Sequence, residues 1–131
     1  MSTLAVATVK SLSGNPTQFQ NSSGNEVGQL AKAWVNFQGT GTVGIHQSFN
    51  VDSITDSGTG RYIVNMSITL GNSNYVPLVG GIFDTNDGDG TTICSNRRIS
   101  LTTTTFGIRG SNNQGQFDDL GFVCGVVFGD Q

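Results

Sequence analysis

The side chains in this sequence that could do chemistry are few, and their spacing argues against most of it. His46 is the single histidine, in Gly44-Ile45-His46-Gln47. A general base needs a nucleophile and an orienting carboxylate beside it, and no Gly-x-Ser-x-Gly elbow supplies the nucleophile. His46 therefore reads as an exposed strand or subunit-contact residue. The acidic run Asp84-Thr85-Asn86-Asp87-Gly88-Asp89-Gly90 invites comparison with a calcium loop, which needs glycine at the sixth position and an acid at the twelfth. Counted from Asp84, the sixth residue is Asp89 and the twelfth is Ser95. The run fits an Asx-rich turn better, with a weak, non-EF calcium site as the alternative, and no cofactor is expected.

Glycoside cleavage needs two carboxylates a fixed distance apart, one with a raised pKa. Asp84, Asp87, Asp89 and the pair Asp118-Asp119 are the candidate acids, and Glu26 is the only glutamate. Nothing in their spacing separates an acid from a base, so the chain is expected not to be an enzyme, and a polysaccharide depolymerase ranks last among its readings. Cys94 and Cys124 are too few for a disulfide scaffold or a closed zinc site. Both sit in apolar contexts and read as buried free thiols, with a cross-strand disulfide as the alternative. Trp34, Tyr62 and Tyr75 are aromatic faces that could stack on sugar rings, although Trp34, between Ala33 and Val35, reads as core. Arg97-Arg98 reads as an intersubunit contact or a solvated strand end.

The elements that must position these groups follow from composition. Only 11% of the residues are charged, while Ser, Thr, Asn and Gln fill 48 of the 131 positions and glycine another 19. Such a chain is poor in helix-interior residues and rich in turn formers. Short Thr/Val/Ile-rich runs between Gly/Asn/Asp clusters are the mark of an all-β sandwich or barrel. Alternation and turn residues predict strands over Leu4–Val9, Gln29–Phe37, Gly41–Phe49, Val51–Thr55, Arg61–Leu70, Tyr75–Phe83, Thr91–Leu101, Thr104–Ile108 and Phe122–Phe128. Asp56-Ser57-Gly58-Thr59-Gly60 predicts the tightest hairpin, its glycines free to take positive φ.

A single β domain follows, with 1–28 as a lead-in and 29–131 as a compact antiparallel sandwich or barrel. A net charge of −3 with six Lys and Arg offers no basic stripe for nucleic acid. No apolar run approaches the roughly 18 residues of a membrane span, so no membrane insertion is expected. The N-terminus lacks a basic region ahead of its apolar stretch, which predicts synthesis in the cytoplasm.

Residues Ala31-Lys-Ala-Trp-Val-Asn-Phe-Gln-Gly-Thr-Gly-Thr-Val-Gly-Ile45, followed by Ser48-Phe-Asn-Val-Asp-Ser-Ile-Thr-Asp-Ser-Gly-Thr-Gly-Arg-Tyr62, resemble a module of tail-fibre and related structural proteins of phages and prophages. The likeness spans some 32 positions, from Ala31 to Tyr62, with the glycines in place. Thr8 to Leu12, Pro16, Phe19 and Asn21 to Gly24 resemble the lead-in of some members, and from Tyr75 onward only a strand-rich, variable tail is shared.

The resemblance implies a virion surface protein made in the host cytoplasm, in contact with other phage structural proteins. It also implies a homotrimer, since fibre-type proteins assemble threefold, and a tail-fibre-like adhesin for a host surface glycan or protein. No stalk, collagen-like repeat or coiled-coil heptad accompanies the module, which keeps a decoration or cement protein of the capsid or tail as the alternative. Trp34, Phe37, Val43, Ile45 and Ile54 are expected in the core of this framework. Recognition is expected on the variable loops, at Asp84, Asn86, Asp87 and Asp89, and at Asn112, Asn113 and Gln114.

Overall fold

Alternation of apolar and polar residues dictates two-faced strands, and two such sheets must share their apolar faces. The computed structural model has that architecture, described for residues 5–6, 8–10, 17–82, 93–97 and 100–130. Two antiparallel four-stranded sheets pack as a sandwich, with no helix among the described residues. The first sheet has the order β4 (Gly44–Phe49), β3 (Ala33–Gln38), β10 (Phe122–Phe128), β7 (Val76–Ile82). The second has the order β5 (Val51–Asp56), β6 (Arg61–Met66), β9 (Thr105–Ser111), β8 (Ile93–Arg97). A small hairpin of β1 (Phe19–Gln20) and β2 (Glu26–Gly28) precedes them.

The core forms where inward positions of the central strands meet. Ala33, Val35 and Phe37 of β3 and Val123 and Val127 of β10 face Tyr62, Val64 and Met66 of β6 and Phe106 and Ile108 of β9. Phe37 and Tyr62 meet edge to face with ring centroids 5.2 Å apart. Gly125 sits inward on β10 because an added Cβ would lie 2.9 Å from the Phe106 ring. Asn50, alone between β4 and β5, takes a left-handed φ of 55° and carries the chain from one sheet to the other. Its side-chain amide donates to Lys32 O at 2.7 Å, which secures a conformation that asparagine tolerates better than most residues. The predicted hairpin at Asp56–Gly60 forms, with Gly58 and Gly60 at φ of 100° and 62°.

Several expectations need correction. In β3 the alternation that buries Val35 and Phe37 points Trp34 outward, where it is only half-buried. Tyr62 and Tyr75 are buried and offer no open ring to a ligand. Ile45 is 37% exposed because β4 is an edge strand with a register shift at its pairing to β3. Phe37 is fully buried, and Val43 and Ile54 pack against the core from its margin. The described residues of the predicted first strand, 5–6 and 8–9, are not in a strand, and β1 and β2 are additional.

Candidate recognition surface

The loop after β9 is built by one side chain. Asn112 Oδ1 accepts from the backbone N–H of Gln114 and of Gln116, each at 3.0 Å. Its own N–H donates to Gln116 O, and Gly115 N–H, at φ 78°, donates back to Asn112 O. The turn closes so that Ser111 bridges Phe117. Asn112 is therefore the scaffold of the loop, while Asn113 and Gln114 are exposed at its tip.

Closure of this loop lays Phe117 over two guanidinium groups. Arg61 and Arg109 are direct cross-strand partners on β6 and β9. Their Cζ atoms lie 5.0 and 4.4 Å from the Phe117 ring centroid. Like charges directly opposite one another on a sheet are destabilising, and the shared ring offsets part of that through cation–π attraction of about 0.5–2 kcal/mol per pair. Nε of each arginine is buried with no hydrogen-bond partner among the described residues. Phe117 itself is 43% exposed.

The register places further groups on the same face. Ser95 stands opposite Arg109, and Arg97 opposite Gly107. Asn65 donates to Ser53 Oγ at 3.1 Å and Thr55 Oγ1 at 3.0 Å. The outer face of the second sheet thus carries arginine and neutral hydroxyl or amide groups beside the apolar Ile63 and Ile93, in a chain whose net charge is −3.

The outer face of the first sheet is the reverse. Phe49, Trp34, Val126 and Leu78 are register partners in a single row across all four strands. Phe122 and Ile82 pair on the same face, as do Phe128 and Val76. Leu78, Val76 and Ile82 are 55%, 56% and 61% exposed. An open groove of about 460 Å³ runs between Trp34, Asn36, Leu78, Gly80, Cys124 and Val126. Within it, Asn36 Oδ1 is buried and has no hydrogen-bond partner among the described residues.

The other candidate residues fall into two groups. Asp119 Oδ1 accepts from Gly60 N–H at 2.7 Å and lies 3.1 Å from Tyr62 Oη, so it is tied into the end of the sandwich. Burial raises the Tyr62 hydroxyl pKa well above the usual phenol range, and it accepts from Leu120 N–H. His46 is exposed on β4. Cys94 and Cys124 are free and half-buried, and burial, with Cys124 nearby, pushes the Cys94 thiol up to about 11. Asp84, Asn86, Asp87 and Asp89 lie outside the described residues. Among the described residues no three His, Cys, Asp or Glu side chains are grouped to hold a metal ion, and no helix is long and apolar enough to cross a membrane.

Sequence reasoning missed Arg61 and Arg109. They are 48 positions apart and become neighbours only through the pairing of β6 with β9. Phe117 lay inside the loop expected to carry recognition, but nothing in its local sequence marks it as covering two arginines. No known protein-family model, curated protein or solved structure matches the chain.

Proposed function

We propose that this chain is a non-enzymatic surface protein of a bacteriophage particle, a tail-fibre-like adhesin that works as a homotrimer on a host surface glycan or protein. The observation that carries the assembly half of this reading is the outer face of the β4-β3-β10-β7 sheet. A contiguous uncharged face with Leu78, Val76 and Ile82 more than half exposed is the kind of surface that soluble proteins cover by association. The orphaned Asn36 Oδ1 inside it gains a donor if a neighbouring subunit supplies one, relieving a cost of about 1–3 kcal/mol. The particle itself comes from the resemblance over Ala31–Tyr62, the residues that make β3, β4, β5 and the start of β6.

A decoration protein that seats the same apolar face on the particle shell is the second reading. Gold-labelled antibody against the chain, applied to intact particles whose genome encodes it, separates the two. Label at the tail tip is expected; label spread over the head would establish the cement role instead, and particles without label would remove both.

A further inference from the structure

We infer that Arg61, Arg109 and Phe117 form a binding site for a saccharide that carries a carboxylate or phosphate group, the guanidinium groups taking the anion and the exposed part of the ring taking the sugar. The inference deepens the adhesin reading and rests on it only for the source of the saccharide, a host cell surface.

Three observations lead there. First, Arg61 and Arg109 face each other across β6 and β9, an arrangement that costs stability unless negative charge answers it. Second, Nε of each is enclosed with no hydrogen-bond partner among the described residues, while the two arginines are only half-buried, so the Nη edges of the planar guanidinium groups are what is left to meet carboxylate or phosphate oxygens. Third, Phe117, whose ring centroid lies 4.4 and 5.0 Å from the two Cζ atoms, is 43% exposed as a residue, and an aromatic side chain beside polar groups suits a sugar ring.

The surroundings narrow the ligand class. Ser53, Thr55, Asn65 and Ser95 share the outer face with the arginines, and neutral hydroxyls and amides match sugar hydroxyls. A nucleic-acid backbone would instead need a longer track of cations, and the chain has only six Lys and Arg in all.

The test is a titration of the full chain followed by NMR of the arginine Nε–H groups, using glucuronate, glucose 6-phosphate, glucose and inorganic sulfate as probes. Saturable shifts at Arg61 and Arg109 with glucuronate, with glucose 6-phosphate or with both are expected, none with glucose, and weaker ones with sulfate. The two sugar arms separate carboxylate from phosphate. Arg109→Gln is expected to weaken the response about 10-fold to 100-fold, the range for a lost charge-assisted hydrogen-bond pair. Phe117→Leu is expected to weaken the sugar anions and leave sulfate unchanged, and it keeps the test open if Arg109→Gln does not fold.

Neither anionic sugar moving either Nε–H, or sulfate matching them, would overturn the inference. Particle labelling is independent of this result. Binding by the purified chain with no label on the particle would leave the site standing and remove the adhesin, and the opposite pair of results would do the reverse.

Discussion

Asn112, Asn113 and Gln114 look equivalent in a loop read from sequence, and the hydrogen bonds divide them. Asn112 carries two backbone N–H groups on its side-chain oxygen, whereas Asn113 and Gln114 are exposed. Asn112→Ala is expected to cost about 1–2 kcal/mol, two modest hydrogen bonds. It should also speed amide exchange at Gln114 and Gln116, and release Phe117 from the arginines. Asn113→Ala should stay within about 0.5 kcal/mol of the parent in chemical unfolding, as surface substitutions usually do.

Titration gives a second expectation for single residues. The thiol of Cys94 is held up at about 11 and the hydroxyl of Tyr75 at about 12, both by burial. A raised folded-state pKa means that the unfolded chain loses its proton first. Stability is then fully present below the unfolded value and falls as pH climbs toward the folded one. Denaturant midpoints should therefore be unaffected by these groups below about pH 9, the ordinary thiol value, and decline through the alkaline range above it. Cys94→Ala should remove the earlier part of that decline, and a midpoint that rose with pH there would contradict it.

At the scale of elements, the strands were legible wherever burial alternates cleanly. Arg61–Met66 has intermediate and buried positions in strict succession, and β6 begins where expected, although it ends four residues before the predicted Leu70. The glycines that punctuate Asp56–Gly60 were equally plain, because positive φ at Gly58 and Gly60 is a local demand. Which face turns inward was not legible at β3. Trp34 and Phe37 cannot both face the core when Val35 and Phe37 already do, and only the opposing sheet decides between the two sets. Phe37→Ala should cost about 3–5 kcal/mol as a deep core truncation. Trp34→Ala should leave a folded chain and weaken association instead. Thermal unfolding alongside sedimentation reads both, and a Trp34→Ala chain that failed to fold would return that residue to the core. Nor could β1 and β2 be read: Phe19–Gln20 and Glu26–Gly28 are too short to show a period.

The molecule as a whole has two outer faces of different chemistry, one uncharged and largely apolar, the other carrying Arg61, Arg97 and Arg109 among hydroxyl, amide and isoleucine side chains. If the apolar face joins copies of the chain, sedimentation should give a mass near three times 13.7 kDa. Leu78→Glu, which places a charge in the middle of the Phe49-Trp34-Val126-Leu78 row, should return a folded monomer. A parent chain that remained monomeric at micromolar concentration would remove the trimer. The separation of faces also predicts that Leu78→Glu leaves the arginine Nε–H titration unchanged, since the two surfaces lie on opposite sides of the core.

The strand order of the first sheet has a consequence for biosynthesis. β10, which follows all the other described strands in the chain, is inserted between β3 and β7 and hydrogen-bonds to both. On a translating ribosome, β3 and β7 emerge long before their shared neighbour. Until Phe122–Phe128 appears, the row that runs from Phe49 to Leu78 lacks its third member, Val126. Nascent copies crowded on one messenger therefore carry only a broken version of the apolar surface. If the apolar face joins copies of the chain, delivery of β10 acts as the timer, and pairing begins only among chains in which that strand has been inserted.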